Sequence, residues 1–244
     1  MPSIPSSNAA EFVTQNDDVF GRIANRYNLL CDLFSFGIHR LWKRKVAGRI
    51  AQELWTSMLD AASGTGDVVL QVAQHQQIQP QQSIIVSDIS SAMLAVAQQR
   101  AGALSKLFDF RILDAHAMPS IPDDSIDLYS ISLGLKICER TQVLREALRM
   151  LRPGGRLITL EASNIVWPWL HQAYLIYMQF CMPIIGWVAT AGDSSAYRYL
   201  LKGIQDFPGA EILAAEIESI GFENVAFERL SLGIVAIHTA RKPA

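Results

Sequence analysis

The sequence predicts an α/β fold: a twisted, doubly wound sheet of parallel strands joined by helices, with one strand reversed. Between residues 54 and 161, short apolar runs alternate with longer segments in which apolar residues recur at helical spacing. After Pro208, two strand-like runs are separated by only two residues, which allows an antiparallel hairpin and excludes a parallel crossover. The chain has 244 residues, of which 50% are hydrophobic, enough for one large core.

The strands and helices follow each other in a regular order. Strand-like segments, which are short, apolar and bounded by turn residues, lie at 57–61, 83–87, 109–113, 126–132, 156–161, 223–230 and 233–241. Helical spacing marks the segments 66–76, 91–101, 140–151 and 210–220. Gly221 follows the last of these helices, and glycine readily adopts the left-handed conformation that ends a helix.

Two additions surround this predicted core. Residues 1–16 are expected to form a flexible polar arm, and residues 17–244 one domain. Residues 17–50 are expected to form helices, because Val19, Phe20, Ile23 and Tyr27 fall on one stripe. The second addition is an insertion at 162–207, which has no Asp, Glu, Lys or Arg from residue 162 to residue 192.

The uncharged insertion has three interpretations: a transmembrane helix, a buried helix pair or an apolar lid over a binding site. Pro168, Pro183 and Gly186 interrupt it, and a span between two strands of a sheet would break the fold. We favour the lid, because the insertion is rich in the amphipathic rings that are common at membrane boundaries. These are Trp167, Trp169, Tyr174, Tyr177 and Trp187.

Composition excludes several classes of function. The formal net charge is −2 and the sequence pI is about 6.2, so we expect no nucleic-acid partner. Cys31, Cys138 and Cys181 lie far apart without the spacing of metal ligands, so we expect neither a disulfide framework nor a metal site. The first residues lack the pattern of a signal or transit peptide, and a cytoplasmic location is expected.

The most informative motif is the turn after the first strand, Asp60-Ala-Ala-Ser-Gly-Thr-Gly66. Glycines at 64 and 66 let the backbone approach a ligand closely. A dinucleotide site would have a third glycine where Val69 stands. The acid suits a cation, so the motif favours S-adenosylmethionine, whose ammonium and sulfonium groups prefer carboxylates and carbonyls. A plain tight turn is the alternative.

Acids also end the next two strands. Asp88 is placed to accept both hydroxyls of a ribose, although it could also help to cap the helix that starts near Ser90. Asp114 could accept from an adenine amine, or it could be a loop acid. Because the carboxyl ends of parallel strands share one edge of the sheet, these side chains are expected to form one site. The predicted cofactor-binding residues are Asp60, Ala62, Gly64, Gly66, Asp88, Ile89, Asp114, Ala115 and Ser132.

These motifs resemble those of class I S-adenosylmethionine-dependent methyltransferases, as does Leu-Arg-Pro-Gly-Gly-Arg at 151–156. Four further blocks resemble the UbiE family, the C-methyltransferases of ubiquinone and menaquinone biosynthesis: SFGIHRLWK at 35–43, EAS at 161–163, YRYL at 197–200 and GIVAIH at 233–238. The resemblance runs from about residue 18 to 242. It implies a Rossmann-like seven-stranded methyltransferase sheet, S-adenosylmethionine as cofactor and a hydrophobic prenylated quinol as substrate.

The chain departs from the family pattern at the substrate side. The family's Tyr-Asp-x-Met-Asn becomes Tyr-Asn-Leu-Leu-Cys at 27–31, and its Gly-Leu-Arg-Asn becomes Gly-Leu-Lys-Ile at 134–137. In the family this arginine and asparagine face the reacting ring, so the resemblance makes Lys136 the candidate cation or base. A solvated surface lysine is the alternative. Tyr27 is the second catalytic candidate. His39, Tyr197 and His238 are weaker ones, because a lone His or Tyr near apolar residues is often a satisfied core group.

The predicted function is C-methylation of a polyprenyl benzoquinol or naphthoquinol. A methyltransferase for another hydrophobic molecule and a non-catalytic scaffold of a quinone-biosynthesis complex are the alternatives. Five basic residues lie within 40–49, where a solvated helix face and a contact with anionic lipid both stay open. Peripheral contact with the inner face of the membrane, a homodimer and a larger complex also stay open.

Overall fold

The computed structural model describes residues 24–189, 203, 204 and 206–244. The strands are β1 (Ser57–Ala61), β2 (Ser83–Asp88), β3 (Phe108–Ile112), β4 (Ile126–Ser132), β5 (Leu151–Ala162), β6 (Glu223–Leu230) and β7 (Val235–Arg241). The α-helices are α1 (Tyr27–Ser35), α2 (Ile38–Gln52), α3 (Asp67–His75), α4 (Ser91–Ala101), α5 (Arg140–Met150), α6 (Pro168–Ala189) and α7 (Ala210–Ile220). Short 3-10 turns lie at Ala24–Arg26, Gly102–Leu107, Leu135–Ile137 and Ser231–Gly233.

The strands form one seven-stranded sheet in the order β3-β2-β1-β4-β5-β7-β6. Strands β1 to β5 pair in parallel, and β7 is antiparallel to both of its neighbours, β5 and β6. The predicted fold class, with one reversed strand, is confirmed. The reversed strand lies inside the sheet, where it is inserted between β5 and β6.

Helices cover both faces of the sheet, as a largely parallel sheet requires. One buried cluster joins α2, α3 and α4 to the sheet through residues such as Ile50, Val68 and Leu94. The other joins α5 and α7 through Leu144 and Ile217. The sheet thus lies between two apolar layers, and its carboxyl edge is the place where side chains from several strands meet.

Strand β5 begins five residues earlier than position 156, where the sequence pattern places its start. Leu151 ends α5 in an extended conformation and pairs with Ile126, and the register then shifts before Arg156 pairs with Leu128. Pro153 and the glycines after it resemble a turn in sequence, but they form an irregular part of the strand.

The N-terminal helices and α6 pack together beside the sheet. Helix α1 is separated from α2 by Phe36 and Gly37, both with positive φ (50° and 75°). The ring of Phe36 lies 6.4 Å from that of Tyr177 on α6. On the outer side of α6, Trp169 is 72% and Phe180 64% exposed. Among the described residues, no helix has both the length and the apolar character needed to cross a bilayer.

Candidate active site

The turn between β1 and α3 lies over the end of β2. Ser63 donates its backbone N–H to the carbonyl of Ser87 at 2.9 Å, and Gly64 donates its N–H to Oδ2 of Asp88 at 2.8 Å. Ala62 and Gly64 have positive φ values of 47° and 55°. A Cβ atom added to Gly64 would meet nothing within 4 Å. At Gly64, the turn therefore presents backbone to the space in front of it.

That space is a cleft of about 820 Å³, counted out to its open mouth, at the carboxyl ends of β1, β2 and β4. Most of the predicted cofactor-binding residues line it, which brings them together in one wall: Ala62, Gly64, Asp88, Ile89, Asp114, Ala115 and Ser132. Tyr27, Lys43, His116 and Leu133 also line it. Asp60 and Gly66 do not.

Asp60 supports the turn from behind, and its side chain is not part of the cleft wall. Its side chain is 1% exposed, and it accepts a hydrogen bond from the hydroxyl of Ser130, its register partner on β4. Burial raises the pKa of Asp60 to about 6, against the opposing effect of the Ser130 hydrogen bond. The carboxyl group therefore links β1 to β4 beneath the site.

Gly66 has a structural role and is also not part of the cleft wall. It precedes α3 with a φ of 76°. An added Cβ would lie 3.1 Å from the Cβ of Ala97 on α4. The glycine therefore allows the start of α3 to pack closely against α4, a role that glycines in such turns commonly have.

Asp88 lies between the cleft and the start of α4. It lines the cleft and is 9% exposed. Its Oδ1 accepts the N–H of Ser90 at 2.9 Å and its Oδ2 that of Gly64, whereas the side chain that caps α4 is that of Ser90. An ionised carboxylate offers about four acceptor positions. Asp88 can therefore hold the turn and also accept from ligand hydroxyls.

Asp114 forms a pair with His116, which the sequence analysis missed. Oδ1 of Asp114 accepts the backbone N–H of His116 at 2.9 Å and contacts its Nδ1 at 2.6 Å. Nε2 of His116 accepts the N–H of Glu139 at 3.0 Å, so the ring proton is on Nδ1 and is donated to Asp114. This hydrogen bond lowers the pKa of Asp114. The acid at the end of β3 is therefore ionised and held in a fixed orientation.

A second cavity, with a mostly apolar lining, adjoins the cleft. It has about 1120 Å³ of space, counted to its mouth, and is bounded by α1, α2, α6 and the turn between β6 and β7. Tyr27 and Leu133 belong to the walls of both cavities. Leu133 has a φ of 59°, a strained value for a leucine of the kind that is often found at functional sites. These two residues mark the boundary between the cavities.

Three polar side chains of the apolar cavity, His39, Trp42 and Tyr27, are hydrogen-bonded within the protein. The Nδ1 of His39 lies 2.8 Å from Oγ of Ser35, and burial lowers the pKa of this histidine to about 4. The indole N–H of Trp42 donates to Ser231 at 2.8 Å. Tyr27 is hydrogen-bonded to Cys31, and this thiol and burial raise the pKa of the phenol well above its usual value. Tyr27 therefore keeps its proton and can act as a donor but not as a base.

Lys136 lies in the wall of the apolar cavity. Its Nζ donates to the carbonyl of Leu133, and burial lowers its pKa. The alternative of a solvated surface lysine does not fit this position. A lysine with a lowered pKa can serve as a positive charge when protonated and as a proton acceptor when neutral.

The remaining candidates lie apart from the cavities or outside the described residues. His238 is buried in the core, where its Nε2 donates to the carbonyl of Ala210 at 2.9 Å and burial lowers its pKa. Asn28, one of the departures from the family pattern, accepts the hydroxyl of Thr65 at 2.8 Å and so links α1 to the turn. Tyr197 lies outside the described residues.

The basic run in α2 is largely neutralised within the protein. Lys43 is buried and contacts Asp67 at 2.6 Å, as does Arg100. Although burial raises the pKa of Asp67, these two cations lower it to about 2. Three more basic residues are in ion pairs: Arg40 with Asp32, and Lys45 and Arg49 with Glu228. These pairs favour a structural role for the run over a lipid contact.

Solved structures of low sequence identity share the fold. The cyclase SpnF matches with a TM-score of 0.68 at 20% identity, over 100% of this chain and 98% of that chain. A protein from Thermotoga maritima, described as an S-adenosylmethionine-dependent methyltransferase and possible histamine N-methyltransferase, matches with a TM-score of 0.64 at 17% identity, over 92% and 98%. At such identities the likeness shows the fold alone.

Sequence relatives are more specific. The model of the ubiE/COQ5 methyltransferase family matches residues 9–242. The ubiquinone/menaquinone biosynthesis C-methyltransferase UbiE of Dinoroseobacter shibae is 37% identical over 227 residues, 92% of this chain and 89% of the relative. UbiE of Methylobacterium nodulans is 39% identical over 232 residues, 93% and 90%. Fold, cleft and relatives together define a class I S-adenosylmethionine-dependent methyltransferase. More narrowly, the chain belongs to the ubiE/COQ5 methyltransferase family, as its resemblance to UbiE sequences indicated.

The residues of the cleft fit S-adenosylmethionine. Gly64 leaves open space where another residue would place a Cβ atom. The carboxylates of Asp88 and Asp114 face this space from the ends of neighbouring strands. The hydroxyl of Ser132 is buried and has no hydrogen-bond partner among the described residues, and a bound ligand would give it one. The two carboxylates are hydrogen-bond acceptors, and the backbone at Gly64 is accessible. Together they suit a nucleoside that carries a cationic tail.

We expect Gly64→Ala to weaken S-adenosylmethionine binding by about tenfold or more, because the added methyl group would point into the cleft. Gly154→Ala is the matched control: Gly154 also has a positive φ (77°) and nothing within 4 Å of an added Cβ, but it lies in β5 away from the cleft. Both variants should lose about 1 kcal/mol of stability through backbone strain. Calorimetric titration and thermal melting measure the two effects, and equal affinities in the two variants would contradict the prediction.

Proposed function

We propose that the chain methylates a ring carbon of a prenylated benzoquinol or naphthoquinol, a step of ubiquinone or menaquinone biosynthesis. The observation that carries this proposal is the meeting of two cavities of different character. A polar cleft with acids at its wall adjoins an apolar cavity, and Tyr27 and Leu133 belong to both. Lys136 is a cation or base in the apolar part. The relatives named UbiE support the same reading.

The cleft residues divide the work of holding the cofactor. Asp88, which holds Gly64, would accept from the ribose hydroxyls, and Asp114, oriented by His116, would accept from the adenine amine. The backbone around Gly64 would hold the amino-acid part of the cofactor. When bound, S-adenosylmethionine supplies an electrophilic methyl group. The protein mainly has to align this group with the acceptor carbon.

The substrate ring lies in the apolar cavity beside Lys136 and Tyr27. Lys136 accepts the proton of a ring hydroxyl: the O–H bond breaks, an N–H bond forms, and the electron pair is shared between the oxygen and the neighbouring ring carbon, which becomes nucleophilic. The resulting ammonium group stabilises the phenolate. Tyr27, which keeps its proton, exchanges its hydrogen bond to Cys31 for one to a second ring oxygen.

The apolar tail of the substrate lies against α6, which forms the lid. Tyr174, Tyr177 and Met178 of this helix line the apolar cavity. Its outer side exposes Trp169, Ile176 and Phe180, ring and chain types that suit a membrane boundary. We therefore place the lid at the membrane surface, where a prenylated substrate is found, with the body of the protein in the cytoplasm. The homodimer or quinone-biosynthesis complex stays a prediction from the sequence.

Two measurements test the proposed function. Calorimetry should show binding of S-adenosylmethionine to the purified chain, and absence of binding would support the scaffold alternative. Quinone analysis of a deletion strain should show a quinone that lacks one ring methyl group. An unchanged quinone pool, together with cofactor binding, would support a methyltransferase for another hydrophobic molecule.

A further inference from the structure

We propose that Glu161, a residue outside both cavity walls, is a positioning residue for the methyl-transfer site: it holds the turn that carries Lys136 and controls the proton on Lys136 Nζ. The proposal rests on the proposed function only for the role of Lys136 toward the substrate. The coupling between the two side chains is a property of the protein itself and can be measured without substrate.

Glu161 is buried beneath the turn that follows β4. Its side chain projects from β5 and is 0% exposed. Oε1 accepts the backbone N–H of Leu135 at 2.8 Å, and the N–H groups of Gly134 and Lys136 are close enough to favour the ionised carboxylate. Oε2 is buried and has no hydrogen-bond partner among the described residues. Burying a carboxyl oxygen without a hydrogen-bond partner costs free energy of folding. We infer that this carboxyl group is kept for a function.

Close packing fixes the turn on two further sides. A Cβ added to Gly134 would lie 2.9 Å from the Cβ of Ala62, in the turn after β1. A Cβ added to Gly203 would lie 2.9 Å from the carbonyl oxygen of Lys136. The turn is thus packed closely against Ala62 on one side and Gly203 on another, and Glu161 supplies its polar support. The position of Lys136 therefore depends on this carboxyl group.

The charges of Glu161 and Lys136 influence each other. Burial raises the pKa of Glu161 to about 7, and the charge of Lys136 opposes this effect. Burial lowers the pKa of Lys136, and the charge of Glu161 opposes that effect. The other titratable groups that act on this pair are Cys31, Lys43 and Cys138 around Lys136, and Arg140 near Glu161. Among these groups, each of the two side chains is the charge with the largest effect on the pKa of the other.

This coupling has a consequence for proton transfer. When Lys136 accepts the proton of a substrate hydroxyl, its new positive charge is stabilised by the carboxylate of Glu161. Removing that carboxylate should therefore lower the pKa of Lys136. The acidic limb of the pH profile of kcat reports the protonation of the base in the enzyme–substrate complex, so this limb should move to lower pH.

The first experiment measures the coupling directly in the full chain without ligands. Glutamate labelled with ¹³C at the side-chain carboxyl is incorporated, and the resonance of Glu161 is identified by its absence in Glu161→Gln. In Lys136→Met we expect the pKa of Glu161 to rise by about one unit, because the stabilising charge is lost. In Lys136→Arg, which keeps a positive charge, it should stay near the wild-type value. An unchanged titration in Lys136→Met overturns the proposal.

The second experiment measures the effect on catalysis. Glu161→Gln keeps an acceptor for the Leu135 N–H but has no charge, and its kcat profile should shift to lower pH by about one unit with an unchanged KM for S-adenosylmethionine. Thr159→Val is the matched control, since Thr159 is a fully buried residue of β5 whose hydroxyl has no partner among the described residues. Its pH profile should match the wild type. A profile of Glu161→Gln that also matches the wild type would contradict the proposal.

The two experiments also separate this proposal from the proposed function. If the carboxyl titration responds to Lys136 but the chain leaves the quinone pool unchanged, the coupling stands and the quinol assignment fails. If the chain methylates a quinol but the pKa of Glu161 is the same in the wild type and in Lys136→Met, the proposed function stands and the positioning role fails.

Discussion

Asp88→Ala is expected to reduce the affinity for S-adenosylmethionine by about 30- to 1000-fold. The carboxylate lines the cleft, and each of its oxygens already accepts one backbone N–H, from Ser90 and from Gly64. Two hydrogen bonds from ribose hydroxyls to a charged acceptor contribute about 2 to 4 kcal/mol together, which corresponds to this range of affinity. Alanine also removes the hydrogen bond from Gly64, so the glycine turn loses this anchor and keeps the bond from Ser63 to Ser87. Calorimetric titration measures the loss.

Asp109→Ala provides the control for this prediction. Asp109 is an exposed acid on the neighbouring strand β3, where it pairs with Arg111 away from the cleft. Its removal should leave cofactor affinity unchanged. Asp88→Asn is informative as well, because an amide replaces one of two acceptors with a donor that would face a backbone N–H. We expect it to bind weakly too. Wild-type affinity in Asp88→Ala would remove Asp88 from the cofactor site.

Much of the fold could be predicted because its signals are local. The alternation of apolar strands with helical segments defines a parallel sheet, and the short gap before β7 requires an antiparallel pair. The insertion of β7 between β5 and β6 could not be predicted in the same way, since strand order depends on contacts between distant residues. The early start of β5 was hidden by Pro153 and Gly154, which read as turn residues.

In the candidate site, too, features with a local signal could be predicted, and features set by distant contacts could not. Asp88 and Asp114 could be placed together because the carboxyl ends of parallel strands share one edge. The contacts of Asp60 with Ser130 on β4 and of Gly66 with Ala97 on α4 could not be predicted, because the partners are distant in sequence. A local motif shows that a turn is special without showing which side of it faces a ligand.

Two residues near the site were missed for a related reason. His116 gains its role from Asp114 and from Glu139 across a loop. The spacing Asp-Ala-His was visible, but a lone histidine in a loop carries little weight. Glu161 is part of a block that marked the family resemblance, yet its link to the turn after β4 is a contact between strands. Contacts between strands that are distant in the chain cannot be predicted from the sequence alone.

Lys136→Met is expected to lower kcat by about 10²- to 10⁴-fold while the affinity for S-adenosylmethionine stays within about twofold of the wild type. Methionine has a similar length and suits the apolar cavity, but it can neither accept a proton nor carry the charge that stabilises a phenolate. Cofactor affinity should be spared because Lys136 lines the apolar cavity and not the cleft. Single-turnover kinetics with a soluble short-tail quinol separate these two effects.

Lys106→Met and Lys136→Arg complete the test. Lys106 is an exposed lysine in the turn before β3, and its replacement should leave kcat unchanged. Arginine at 136 restores the charge, but a guanidinium group does not lose its proton near neutral pH. In the family pattern such an arginine is followed by an asparagine, and Ile137 stands there in this chain. We therefore expect Lys136→Arg to stay well below wild-type activity. Recovery in Lys136→Arg would show that Lys136 acts through its charge alone, and full activity in Lys136→Met would show that the lysine takes no part in the chemistry.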